Sequence, residues 1–590
     1  MFYLLKKIIK MFQKKEFNYV LLIFGSTTGL YFLRICTIID INISMDELGT
    51  FAGMAACGGL NWNEVIAYTR YYGYGFYWIY AFIFYLIDNP YIIYILIYFL
   101  NAVIIGCTGI LIWRLQTKLL KLPANSCTFL ITILCGTIYP VVNYSYITND
   151  VATYAVYWIG VYFLISSICT EENSVRKQIY FAICLCYSLT VHEKMIVLWI
   201  SMAFVLIIWK LFCGTSLIKN KSLYICLLVG YILARVSKQL VIDYFWPADV
   251  RLGEELANTS VIYGDITWFF SDLRGIRAIF DVIISNLLKT GIMTGGLSFL
   301  GIGLFIVLFV SFTKRIIMNG KLNSNEKLTL ILQLISIFPI MIIIVGLAVE
   351  WGKSIYESIY FTGEFGKNVR AFSYIRYYII FVGPMLISVY YYIFYKVGSK
   401  KVFYITGLFI SIFCYIYFCL IIMPYLGTNG ISILSSIEIG HNPVLNLGIS
   451  FLALFILPIL FIGIINKKIR TIFVSLSTIC IVSLNLPDSV TWPILKYSLC
   501  DATMIWIEDN INAENRDLLY VLDDYSNYQF AFNRYSMHVI NGNETKAIIF
   551  SHKSKDMWAE SYMEDFQREV IMKCQEIQLD DNEYIFYLNE

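Results

Sequence analysis

The sequence predicts an all-α polytopic membrane protein, with about thirteen spanning helices and a small extracytoplasmic α/β domain at its C-terminal end. Three observations carry that prediction. Of 590 residues, 59% are hydrophobic and only 14% are charged, against about 25% charged in a typical soluble domain. Apolar runs near twenty residues, the length a helix needs to cross a ~30 Å hydrocarbon core, recur along the chain. Charge is also divided: from Asp501 onward there are 18 acidic and 7 basic residues, about −11, so the part before it carries about +14 of the formal +3. Positive charge gathered in short loops between apolar runs reads as topology, and it excludes a nucleic-acid partner as its explanation.

Lys6, Lys7, Lys10, Lys14 and Lys15 precede the first apolar run. The run is longer than a signal-peptide core and no A-x-A site follows, so it reads as an uncleaved first span with its lysines in the cytoplasm. The predicted spans are 18–40, 91–113, 125–140, 151–169, 179–193, 195–212, 223–243, 291–313, 328–349, 376–395, 402–423, 445–465 and 471–487. With that start, the basic clusters around Arg114, Arg176, Lys219, Lys314, Lys400 and Lys467 all fall on the cytoplasmic side. Residues 74–87, YGFYWIYAFIFYLI, are apolar enough to span, but a helix of that length covers only about 21 Å. Counting them as a span would also invert every later loop. They are therefore expected as a juxtamembrane helix inside a first external loop, 41–90.

The other expected external segments are 141–150, 191–194, 244–290, 350–375 and 424–444. The chain thus divides into a transmembrane module, 1–487, and an extracytoplasmic domain, 488–590. Strand-like runs at 520–522, 547–550 and 584–588 and a helix-like stretch at 556–574 give that domain its α/β character. The 15 cysteines lie mostly inside apolar runs without C-x-x-C spacing, and read as small buried residues.

Ionisable residues are scarce within the spans. Asp46, Glu47, Asp150, His192, Glu193, Lys194, Glu350 and Arg376 all fall at or beyond their outer ends. A transporter usually places charge near the bilayer midplane, so chemistry at one interface fits better than passage. The first loop opens with SMDELGTFAGMAACGG and continues to Tyr71, Tyr72, Tyr74 and Trp78, an aromatic wall that equally suits an interfacial belt.

In this order the motifs resemble the polyprenyl-phosphate-dependent glycosyltransferases of the GT-C superfamily: protein O-mannosyltransferases, lipid A aminoarabinose transferases and related bacterial sugar transferases. The acidic pair Asp46-Glu47, then YYGYGFYW, matches their first external loop, although members often carry Pro-Pro where this chain has Gly-Tyr-Gly. Asp150 in NYSYITNDVATYAVYW, Lys194 in LTVHEKMIVLW, and Arg376, Tyr377 and Pro384 in SYIRYYIIFVGPML match three further landmarks. The resemblance covers about 20–395.

What it implies is transfer of a sugar from a polyprenyl phosphate to a hydroxyl of a glycan, lipid or protein acceptor, on the extracytoplasmic face and with inversion. Asp46 would be the general base, with Glu47 assisting or replacing it. Lys194 and Arg376 would bind the donor phosphate, and Asp150 would be a supporting acid or metal ligand. Tyr71, Tyr72, Tyr74, Trp78, His192 and Tyr377 would contact sugar or lipid. Asp46, Glu47 and Asp150 together offer oxygen ligands to a divalent cation, and metal use is left open. Each site residue also has a plainer reading, as a helix-end acid, a snorkelling lysine or a topology marker. The rival functions are a transporter or flippase, and a polymerase or ligase, of lipid-linked glycans. The sequence is silent on oligomeric state.

Overall fold

The computed structural model describes residues 15–32, 41, 43–66, 71, 73–142, 149–170, 174–245, 273–318, 320–360, 369–372, 374–426, 450–463, 466–485, 500–511, 517–523, 525–535, 537–540, 542–560 and 565–589. The N-terminal lysines through Lys14, Tyr72, the boundary at 487/488 and the side chain of Asp46 lie outside what is described.

Helix α1 is Lys15–Phe32, α2 Met45–Cys57, α3 Tyr77–Leu86, α4 Pro90–Arg114, α5 Ser126–Val142, α6 Asp150–Cys169, α7 Ser174–Val191, α8 Ile196–Cys213 and α9 Ser222–Phe245. Next come α10 Leu273–Met293, α11 Leu297–Ile317, α12 Ser324–Tyr360, α13 Gly383–Tyr395 and α14 Lys400–Tyr417. Among the described residues seven helices are long and apolar enough to cross a membrane, beginning at Pro90, Asp150, Glu193, Ser222, Leu297, Ser324 and Lys401. The chain is an integral membrane protein, and the count of thirteen stays an expectation of the sequence.

Packing joins α1 to α4, α6 to α7, α8 and α13 to α12, and α11 to α14. The α11–α14 crossing is set by Gly303 and Gly407: a Cβ on Gly303 would lie 2.6 Å from Gly407 N. In a bilayer, where lipid competes equally for apolar surface, small residues permit the backbone approach that holds helices together. Helix α12 contains Pro339, which removes the hydrogen bond to the carbonyl of Ile335. Tyr157 of α6 fills that vacancy, its hydroxyl donating to Ile335 O at 3.2 Å.

One expected loop is corrected. The second half of 244–290 is not irregular; it forms α10, which turns at Gly295 and Gly296, both at positive φ, into α11. Its buried positions include Asp281, Ser285, Asn286 and Thr290. These polar groups suppress the hydropathy signal, yet they face protein and not lipid. Helix α3 is a separate short helix inside the stretch 74–87, where one was expected. It buries Tyr77, Tyr80, Ile83 and Phe84 on one side and exposes Trp78, Phe82, Tyr85 and Leu86 on the other, and its ten residues cover only about 15 Å.

Residues beyond 500 form a five-stranded sheet of order β2-β1-β3-β5-β4, with β1 Leu519–Val521, β2 His538–Val539, β3 Lys546–Ser551, β4 Gln575–Asp580 and β5 Glu583–Asn589. The β1 strand runs parallel to β2 and β3, while β5 pairs antiparallel with β3 and β4. Helices α15 Asp501–Asn510, α16 Tyr525–Ala531, α17 Lys555–Glu560 and α18 Asp565–Lys573 accompany it. This unit rests on the loop that carries α2 and α3. Trp62 Nε1 donates to Asn533 O at 2.9 Å, Tyr91 OH to Asp501 Oδ1 at 2.7 Å, and Arg534 Nη2 to Ile87 O at 2.7 Å.

Candidate active site

Asp150 is the first residue of α6, where a carboxylate meets the positive end of the helix dipole. It is fully buried, and a buried charge needs compensation. Two cations supply it: Lys194 Nζ pairs with Oδ1, and Arg376 Nε donates to Oδ2 at 2.8 Å. His192 Nε2 stands 3.7 Å from Oδ1. His192 Nδ1 accepts from Lys194 N at 3.3 Å, so its proton belongs on Nε2, facing the carboxylate. Tyr377 places its ring 5.0 Å from Lys194 Nζ, a cation–π contact. Three segments separated by 44 and 226 residues thus meet at one carboxylate.

Local structure holds each cation in place. Lys194 lies in a 3-10 turn, Glu193–Met195, capped by the His192 side chain. Asn149 Nδ2 donates to Val191 O at 2.7 Å and ties the start of α6 to the end of α7. The loop before α3 closes over that helix end, with Tyr74 N and Gly75 N both donating to Thr190 O at 2.8 Å. These bonds satisfy a terminal carbonyl that has no partner inside its own helix. Gly73 adopts φ +145°, and a Cβ there would run into Val191 O; one on Gly75 would strike the Thr190 hydroxyl. The departure to Gly-Tyr-Gly therefore has a steric cause, because the backbone passes too close for side chains.

Arg376 sits in a second 3-10 turn, Ile375–Tyr377. Helix α10 anchors it: Ser285 Oγ donates to Phe372 O at 2.6 Å, Asn286 Nδ2 to Ala371 O at 2.8 Å, and Tyr378 OH to Asn286 O at 3.0 Å. This explains the buried polar face of α10.

A second ion pair adjoins the first. Glu193 pairs with Lys238 of α9, whose ammonium lies 5.5 Å from the Tyr71 ring, and Tyr74 OH bonds Ser237. Trp78 is exposed, with its Nε1 donating to Gly75 O at 2.8 Å.

Asp46 and Glu47 occupy the first turn of α2. Glu47 is fully buried and closes a capping box: its Oε2 accepts from Ser44 N at 3.0 Å while Ser44 Oγ accepts from Glu47 N at 3.3 Å. Tyr31 links the two acidic regions. It stacks on Tyr98 at 4.9 Å and lies within electrostatic reach of both Glu47 and Asp150. With Asp150 bound to two cations and Glu47 to its own helix end, two of the three carboxylates suggested for a divalent ion are engaged by protein groups. Among the described residues no three His, Cys, Asp or Glu side chains gather as a metal site.

A small apolar hollow of about 20 Å³ lies between α6, α7, α8 and α12, lined by Tyr157, Val161, Phe181, Leu198, Met202 and Ile335 among others. Ser188 and Leu198, also on its wall, are one helical turn from His192 and Lys194. The wall of the hollow therefore comes within about one helical turn of the ion cluster. Sequence reading missed Asn149, Ser285, Asn286, Tyr31 and the Glu193–Lys238 pairing. The signal available for the last was Lys238 at the end of an apolar run.

A buried ion cluster at one end of an apolar helical bundle, with a small α/β unit resting beside it, gives a polytopic membrane protein with an ArnT-like fold. Among solved proteins, ArnT from Cupriavidus metallidurans in the apo state aligns with a TM-score of 0.50 at 11% identity, over 97% of this chain and 98% of that one. The same protein bound to undecaprenyl phosphate aligns over the same shares with a TM-score of 0.47. The likeness is one of fold. No protein-family model and no curated protein matches the chain.

Proposed function

We propose that this protein is a membrane glycosyltransferase that moves a sugar from a polyprenyl phosphate to an acceptor hydroxyl on the extracytoplasmic face. The observation that carries the reading is the Lys194–Asp150–Arg376 cluster, buried at one end of an apolar helical bundle. A lipid phosphate needs cations for its head and apolar surface for its tail, and the bundle beside the cluster offers the second. A guanidinium has five donors and an ammonium three, so a phosphate can share both cations with Asp150. The fold shared with ArnT supports a lipid-linked donor.

In the reaction, the acceptor oxygen forms a bond to the anomeric carbon and the bond from that carbon to the phosphate oxygen breaks. Its electron pair stays on the phosphate, whose added charge Lys194 and Arg376 stabilise in the transition state. The acceptor proton passes to Asp46, a step worth about 10²–10⁴-fold in rate. Attack opposite the leaving phosphate inverts the anomeric centre. Glu47 fixes the first turn of α2 on which Asp46 sits, and Tyr71, Tyr74 and Tyr377 line the approach to the sugar.

The test is turnover in proteoliposomes, using synthetic undecaprenyl-phosphate hexoses and pentoses as donors and an alkyl glycoside as acceptor. Release of undecaprenyl phosphate is the readout. Asp46→Asn is expected to lower turnover at least 100-fold at unchanged protein level; near-wild-type turnover would remove Asp46 from the chemistry. Lys194→Ala and Arg376→Ala should each weaken capture of undecaprenyl phosphate, and unchanged capture by both would reject the cluster as its site.

A further inference from the structure

From the contacts between the two ends of the chain we infer that the C-terminal α/β unit is a positioning element of the active site, and that Asn527 is the residue through which it acts. The inference rests on the reading of Asp46 as general base. Asn527 lies on α16 and is almost wholly buried. Its Oδ1 accepts from Ile43 N at 2.7 Å, across 484 residues of sequence. Ile43 immediately precedes Ser44, the cap of α2, and Asp46 follows two residues on. Helix α2 thus has two restraints at its N-terminus. Ser44 N is held from within by Glu47, and Ile43 N is held from the C-terminal unit by Asn527.

The rest of the contact reinforces this one. Phe530, one turn along α16 from Asn527, packs its ring 4.7 Å from Phe51 of α2 and 6.3 Å from Tyr94 of α4. Trp62, fully buried, donates to Asn533 O at 2.9 Å, and Phe84 of α3 meets the Trp62 ring edge-on at 5.9 Å. The unit therefore grips both helices of the loop that bears Asp46. A catalytic group displaced by about 1 Å can cost about 100-fold in rate, and a hydrogen bond on the backbone three residues before Asp46 sets its position on that scale.

The experiment compares Asn527→Ala with Asn527→Asp in the full-length protein, using the best donor from the proteoliposome assay and the alkyl glycoside acceptor. Asn527→Ala is expected to lower kcat about 10- to 100-fold while donor KM and undecaprenyl phosphate capture stay unchanged. Asn527→Asp keeps an oxygen for Ile43 N and should recover most of the loss. Trp62→Phe removes the donor to Asn533 without emptying the pocket; it should show the same kcat-selective effect if Asn527→Ala does not fold. Wild-type kcat in both Asn527→Ala and Trp62→Phe would overturn the inference. A change confined to acceptor KM would also overturn it, because the unit would then serve acceptor binding. If Asp46→Asn itself retains turnover, the reading of the active site has failed; loss with Asp46→Asn but not with these variants refutes only the positioning role.

Discussion

Asp150 is where the chain concentrates its electrostatic dependence, since one buried carboxylate answers both Lys194 and Arg376. Asp150→Asn keeps the shape and removes the charge, leaving two cations buried side by side. Breaking a buried ion pair by deleting one partner costs about 3–5 kcal/mol. A marked fall in the unfolding temperature of the detergent-solubilised protein is the expected outcome, and a wild-type melting curve would show that the cations do not depend on this residue. The segments that meet here were legible in the sequence, because each ionisable residue stood out at the end of an apolar run. Their mutual distance was not, being a property of how the helices pack. Asn149 and Tyr31 were illegible for another reason: an uncharged polar residue at a helix end looks like any cap or belt residue, and only their neighbours, Val191 O and the Tyr98 ring, give them a task.

At the scale of elements, the apolar runs named most of the helices, and α10 escaped because a helix that buries polar groups against protein lacks the pattern that lipid imposes. The C-terminal strands at 519–521, 546–551 and 583–589 were readable from β-branched and aromatic runs, whereas β4, with Glu576, Gln578 and Asp580, was not. The broken ladder of α12 gives a prediction at this scale. Pro339 leaves Ile335 O without its helical donor, and Tyr157 supplies one from α6. Tyr157→Phe should therefore destabilise the bundle by about 1–3 kcal/mol, the cost of an unsatisfied buried carbonyl. In a Pro339→Ala background, residue 339 regains an N–H that can reach Ile335 O, and the same Tyr157→Phe change should cost much less. A double-mutant cycle on unfolding temperature measures the difference. Additive losses would mean that Tyr157 acts through packing alone.

At the scale of the whole molecule, the question is what keeps the C-terminal unit seated on the first loop. Beside the buried contacts of Asn527 and Trp62 stands a titratable latch: His538 Nδ1 and Glu64 Oε1 are 2.8 Å apart, and Glu64 Oε2 accepts from Val539 N at 3.2 Å. The hydrogen bond to Glu64 holds His538 above its ordinary 6.5, with burial opposing and Asp517 assisting. The same bond from His538 holds Glu64 below its ordinary 4.5. The Tyr520 ring, 5.3 Å from the imidazole, is the remaining neighbour of note. A histidine raised on folding contributes fully below its ordinary value and loses that contribution as pH rises through its raised one. A glutamate lowered on folding contributes above its ordinary value and loses it as pH falls through the lowered one. The latch is therefore strongest between 4.5 and 6.5, and it weakens on the alkaline side. Both side chains are partly exposed, so solvent screening limits the effect to about 1 kcal/mol, or at most about fivefold in the opening equilibrium. Hydrogen exchange of the amides in 538–540 and 43–48, measured at pH 6 and pH 8.5 and corrected for intrinsic rates, should show faster opening at the higher pH. His538→Gln should abolish that dependence, because glutamine can donate to Glu64 at either pH. Equal opening at both pH values in the wild type would show that this pair does not hold the unit in place, and would leave its seat to the remaining contacts between the two ends of the chain.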